Sequence, residues 1–154
     1  MSPFTKNIII LLVINFTALG IGGFLMGEGP SSTYYQGINK APWTPPGWVF
    51  GAAWTTIMIC FSVYMAYWLK AENEMMVWAL FALQFVLNVG WNPLFFNFHM
   101  TLPALIVIIA LTVLVGYFLF GNWDTLGTLS LLIAPYFIWL CIATSLNWYI
   151  LIKN

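Results

Sequence analysis

Five long apolar stretches alternate with short polar ones along this chain. The first runs over Asn7–Met26, the second over about Pro46–Leu69, and the third over about Met75–Phe96. The fourth covers about Pro103–Phe120 and the fifth about Thr125–Ile152. Each is near the ~20 residues that carry a helix across a hydrocarbon core roughly 30 Å thick. A membrane barrel would instead alternate apolar and polar positions over segments of about 10 residues. The pattern predicts an all-α membrane protein: one domain over residues 1–154, built as a five-transmembrane-helix bundle. Thr44, Asn73, Thr101 and Asp124 read as N-caps, with Pro45 and Pro103 in first turns. Pro135 falls inside the fifth stretch, where it frees the carbonyl of Leu131 and predicts a kink.

Three of the connections are short: Lys70–Glu74, Asn97–Leu102 and Gly121–Asp124. Short loops make consecutive helices antiparallel neighbours. The connection 27–45 is long for a structureless loop, which favours a functional one. Tyr34–Trp54 holds three Trp, three Pro and three Gly, so it reads as a structured lid feeding the second helix. Five spans put the termini on opposite sides and gather the long loop, His99 and the C-terminus on one face. Lys6 and Lys70 then oppose Lys40 and Lys153, so the positive-inside count leaves the orientation open. Lys6 and the apolar run after it resemble a signal peptide. Its length and the lack of a small-x-small cleavage site make it a first transmembrane helix.

Composition agrees with the membrane class. The chain is 62% hydrophobic and 5% charged, against about 25% charged in soluble domains, and its mean hydropathy is +0.93. With four Lys, no Arg and zero net charge, it has no basic surface for nucleic acid. Cys60 and Cys141 lie in apolar runs and His99 has no companion at ligand spacing, so neither a disulfide nor a metal site is expected. No nucleotide-binding motif is present, and no ionisable residue falls mid-span as a proton-coupled carrier would require. Glu72, Glu74 and Asp124 lie in short loops away from the lid, so no acid–base constellation is visible.

Polar residues inside a span face a partner or a cavity. Gln84, Asn88 and Asn92 recur at i, i+4 and i+8 on the third stretch, with Trp91 beside them. Asn15 lies in the first stretch; Thr144, Ser145 and Asn147 lie in the fifth. These groups either join helices by hydrogen bonds or line a cavity. Trp43, Trp48, Trp68, Trp78, Trp123 and Trp148 lie near span ends, where an interfacial belt accounts for them. Trp54 and Trp139 lie deeper. They are either packing residues or the walls of a flat apolar slot with N–H donors, suited to a planar aromatic ligand. Gly23 and Gly27 form a G-x-x-x-G, and Ala82, Val86 and Gly90 form a smooth ridge. Both fit close packing, within the chain or between two copies.

Three of these motifs together carry a resemblance. Ala41-Pro42-Trp43-Thr44-Pro45-Pro46-Gly47-Trp48-Val49-Phe50-Gly51 with Trp54 is the first. Gln84-x-x-x-Asn88-x-x-Trp91-Asn92-Pro93-Leu94-Phe95-Phe96 is the second, and Pro135-Tyr136-x-x-Trp139-x-x-x-Ala143-Thr144-x-x-Asn147 the third. In order and spacing the chain resembles the tryptophan-rich sensory protein/translocator protein (TspO, peripheral-type benzodiazepine receptor) family over essentially its whole length. The resemblance implies five transmembrane helices, a homodimer in the lipid bilayer of a bacterial cell, and a pocket under the first loop. It implies a receptor or sensor that needs no cofactor and takes porphyrins, protoporphyrin IX or haem, and other hydrophobic aromatic molecules as ligands. Tetrapyrrole transport and light- and oxygen-dependent porphyrin breakdown, with Trp54 and Trp139 as photochemical partners, are its alternatives. Tyr35, Trp54, Asn88, Trp139, Ala143 and Asn147 match pocket positions of the family; Trp43, Pro46, Phe50, Gln84 and Trp91 are added as ligand-binding candidates. The family's sterol-associated aromatic–Arg pattern has no counterpart in Trp148–Asn154, which contains no Arg.

Overall fold

The computed structural model describes residues 1–154 and is all-helical, without a strand. Five long helices dominate: α1 (Pro3–Leu25), α3 (Gly47–Ala71), α4 (Glu74–Asn92), α5 (Thr101–Phe120) and α7 (Ala134–Lys153). Two short ones, α2 (Thr33–Gly37) and α6 (Trp123–Leu126), sit in the connections. Four helical stretches are long and apolar enough to cross a membrane, and the last, Thr101–Lys153, contains both α5 and α7. α1 packs along α3 and α4, α5 along α4 and α7.

Local chemistry sets most of the boundaries. Asn73 caps α4 as expected, its Oδ1 accepting from Met75 N at 3.0 Å and Met76 N at 3.3 Å. The other expected caps do not hold. Thr44 instead closes a turn onto the Ala41 carbonyl, and Pro46 precedes α3. Thr101 is already helical, after Met100, and Asn122 rather than Asp124 precedes α6. α4 stops at Asn92 because Pro93 has no N–H to continue the ladder. The chain widens into one π-type turn, Pro93–Asn97, in which Phe98 N reaches back to Pro93 O at 2.8 Å. The Asn92 amide supplies the missing donor, reaching Asn88 O at 3.1 Å and Val89 O at 3.5 Å.

The expected fifth helix from Thr125 is divided. Gly127, at φ 55°, breaks α6, and Gly127–Ile133 forms a 3₁₀ turn before α7 begins. Pro135 thus lies in the first turn of α7, where a missing N–H costs little, and not in mid-helix. Its expected orphan, the Leu131 carbonyl, is taken by Ala134 N.

The core fills the half of the bundle away from the long loop. Phe61 meets Phe81, Phe118 and Tyr136 there, and Tyr64 and Trp68 meet Phe118. Tyr64 donates to Phe118 O at 2.6 Å and accepts from Asn122 Nδ2 at 2.8 Å, which ties the end of α5 to α3. Trp68 belongs to this core and not to an interfacial belt: it is fully buried on Phe118 and Tyr64, and its Nε1 has no acceptor. The close-packing glycine of α1 is Gly22. A Cβ there would lie 2.8 Å from Asn92 Nδ2. Gly23 faces open space, and Gly27, at φ 63°, lies beyond the end of α1.

The long loop, His99 and the C-terminus do gather at one end. Tyr34 stacks on His99 at 3.8 Å, and Asn39 is hydrogen-bonded to Asn154. At the other end Thr125 Oγ1 donates to Glu72 Oε1 at 3.1 Å, joining the two remaining turns.

Candidate functional site

Between the core and the loop the packing opens into a cavity of two adjoining lobes. Phe50 and Trp54, one turn apart on α3, face Trp139 and Ala143, one turn apart on α7. Asn88 and Trp91 come from α4 and Phe96 from the π-type turn, enclosing about 50 Å³. Nearer the loop, Tyr35, Phe95, Leu146, Asn147 and Ile150 enclose a second lobe of about 40 Å³. Phe50, Trp91, Phe96 and Ala143 line both. Ala143 leaves space because it is small. The π-type turn brings Phe95 and Phe96 round to Trp91, Phe95 stacked at 5.1 Å and Phe96 edge-on at 5.7 Å.

Eight of the eleven residues singled out from sequence therefore share one cavity: Tyr35, Phe50, Trp54, Asn88, Trp91, Trp139, Ala143 and Asn147. Three do not line it. Trp43 is half exposed and pins the loop to α7, donating to Ser145 Oγ at 3.0 Å and meeting Tyr149 edge-on at 5.4 Å. Pro46 is exposed at the start of α3. Gln84 is buried deeper, where its Nε2 donates to Tyr136 Oη at 2.6 Å. Sequence reasoning passed over Ile108, Leu111, Leu140, Leu146 and Ile150 in the lining, because an apolar wall residue has the same pattern as a core residue. Phe95 and Phe96 carried a usable signal, an aromatic pair directly after Asn92-Pro93.

The polar groups sort into two kinds. Asn15 joins α1 to α3 through Ser62 Oγ at 2.8 Å, and Gln84 joins α4 to α7. Asn147 is fully engaged: Oδ1 accepts from Trp91 Nε1 at 3.0 Å, and Nδ2 donates to Thr101 O at 3.1 Å. These amides are helix glue. Asn88 is different. Its carboxamide borders the cavity and makes no hydrogen bond to the protein; only its backbone carbonyl is used, by Asn92. Of the nine indole N–H groups only those of Trp43, Trp78 and Trp91 have acceptors within the protein; those of Trp54 and Trp139 are among the six that do not. The cavity thus offers flat, almost wholly apolar aromatic walls with the Asn88 carboxamide at their border, and no Asp, Glu, His or Lys in its lining.

The loop forms a roof. Tyr35 on α2 lies over Phe96 at 5.4 Å, and Lys40 Nζ donates to Tyr35 O at 2.7 Å while standing 4.7 Å from the Tyr35 ring centroid. Burial pushes the Tyr35 phenol above its ordinary pKa.

A family model described as TspO/MBR family matches residues 9–152. The chain is 33% identical over 142 residues to the tryptophan-rich protein TspO of Chlorobaculum tepidum, covering 89% of each chain. It is 32% identical to protein CrtK of Rhodobacter capsulatus, over 89% of this chain and 88% of that one. It is 31% identical to the translocator protein of Sus scrofa, over 90% and 87%.

Proposed function

The chain belongs to the TspO/MBR family of multi-pass integral membrane proteins, and from that premise we propose that it is a five-span receptor for porphyrins, protoporphyrin IX or haem. The observation that carries this reading is the flat aromatic cavity walled by Phe50, Trp54, Trp91, Phe96 and Trp139, with the unpaired Asn88 carboxamide at its border. A free donor in such a place is costly unless something accepts from it. A porphyrin supplies a flat face for the indoles and ring nitrogens or carboxylates as acceptors. Its carboxylates point toward the roof, where Lys40 stands beside Tyr35. The chemistry is recognition, since no acid–base pair faces the cavity.

Lobes of about 50 and 40 Å³ fall short of the ~300 Å³ at which drug-sized pockets begin. The site is therefore closed, and binding requires Phe50, Trp91 and Phe96, which separate the lobes, to swing aside. In this reading α5 and α7 cross separately within the stretch Thr101–Lys153, and the termini lie on opposite sides. The outward ridge of Ala82, Val86 and Gly90, with open space around Gly90, is the face on which two copies meet.

The test is a titration of the purified protein in lipid nanodiscs with protoporphyrin IX. It is followed by the porphyrin absorption band and by indole fluorescence. Saturation at one porphyrin per chain supports the reading; non-saturable uptake equal to that of empty nanodiscs overturns it.

A further inference from the structure

A second concavity lies outside the bundle, between α3 and α7. Ala52, Ala53 and Thr56 face Pro135, Ile138 and Ile142 across about 310 Å³. It exists because the α3 side is built of short side chains. Thr56 Oγ1 is occupied by its own helix, donating to Ala52 O at 2.9 Å, so the groove offers the hydrocarbon an apolar surface. At about 310 Å³ it is roomier than the inner lobes, and it is open along the outside of the bundle.

Trp139 is the one residue common to the lining of this groove and that of the inner cavity. Its indole is the partition between them. It is held by an edge-on contact with Phe50 at 5.2 Å, and a second edge contact, Trp54 with Tyr136 at 5.8 Å, lies beside it. No hydrogen bond links α3 to α7 here. The roof is fastened differently. Asn39 is bonded to Asn154 and Lys153, Trp43 to Ser145, and Tyr34 is stacked on His99. Parting aromatic edges in lipid exposes apolar surface to apolar solvent, at little cost. Lifting the roof breaks directed hydrogen bonds.

We propose that the α3/α7 groove is a lateral portal for a planar aromatic ligand held in the bilayer, and that the Trp139 indole is its gate. The inference rests on the reading that the inner cavity binds such a ligand. The ligand first lies in the groove against the outer face of the indole. Rotation of Trp139 then joins the groove to the lobe that Asn88 borders, and the ligand enters without crossing the roof.

The experiment measures association and dissociation rates of protoporphyrin IX, preloaded in phosphatidylcholine nanodiscs, by stopped-flow indole quenching. Ala52→Phe narrows the groove without touching the inner lining. It slows both rates by about tenfold and keeps the equilibrium affinity within about twofold. Asn154→Ala combined with Trp43→Phe, which removes the Asn154 and Ser145 fastenings of the roof, leaves both rates within about twofold. If Ala52→Phe folds poorly, Thr56→Leu plugs the same groove and is expected to act alike. Unchanged rates in the plugged variants overturn the portal and leave the groove as a seat for lipid chains. Acceleration by the roof double variant, with the plugged variants unchanged, also overturns it, in favour of the roof. Absence of saturable binding in the unmodified protein overturns the cavity reading as well, and so is distinct from both.

Discussion

Asn154 holds Asn39 from two sides: Asn39 N donates to Asn154 Oδ1 at 2.7 Å, and Asn154 Nδ2 donates to Asn39 O at 3.1 Å. The same Nδ2 reaches Ile150 O at 2.9 Å, so this carboxamide also caps α7. One side chain thereby fixes the roof to the last turn of the bundle. Asn154→Ala is expected to raise amide exchange at Asn39 by about tenfold, the loss of roughly one net hydrogen bond. Exchange within α3 stays unchanged. Equal protection before and after the substitution would mean that the Lys153, Trp43 and Tyr34 contacts suffice to hold the roof.

Gly22 makes room for Asn92, and Asn92 in turn caps the end of α4 that Pro93 leaves open. Gly22→Val is expected to destabilise the fold by about 1–3 kcal/mol through overpacking. Asn92→Ala destabilises it through loss of the cap. Because both act on one contact, the double variant costs less than the sum. Thermal unfolding of the four proteins in one detergent measures this, and strict additivity would refute the coupling.

Much of the architecture was legible in the sequence because hydropathy reports membrane helices directly. What it could not mark was a change of helix type inside an apolar run. Gly127–Ile133 is as apolar as α7, so the start of α7 was missed and Pro135 was placed in mid-helix. The Gly23/Gly27 spacing suggested close packing but not which side of α1 turns inward, and the packing residue is Gly22. The cavity was readable where side-chain type is unusual for its depth, as at Trp54, Trp139 and Asn88. It was not readable where it depends on tertiary partners. Gln84, Asn88 and Asn92 share a periodicity, yet one bonds Tyr136, one caps its own helix and one is free.

Tyr136→Phe separates glue from site. It removes the acceptor of Gln84 Nε2, a group in a residue only 1% exposed. The expected cost is about 1–3 kcal/mol of stability, with porphyrin affinity within about twofold of the unmodified protein. A large loss of affinity with unchanged stability would move Gln84 and Tyr136 into the binding site.

The outward ridge on α4 predicts the dimer face. Gly90 has no neighbour within 4 Å in the single chain, so Gly90→Leu is tolerated by the monomer. It is expected to abolish cross-linked dimers in membranes while leaving the unfolding temperature of the monomer unchanged. Undiminished cross-linking would place the contact between copies on another helix.

The central claim is that Trp54 and Trp139 bind a porphyrin rather than fill space. Titration of protoporphyrin IX into three single Trp→Phe variants tests it most directly. Trp54→Phe and Trp139→Phe each remove part of the aromatic wall; Trp123, at the far end of the bundle on α6, serves as the control. The first two are expected to weaken binding by about tenfold or more, near 1.4 kcal/mol, while Trp123→Phe matches the unmodified protein. Equal losses in all three, or unchanged affinity in all three, would contradict the account.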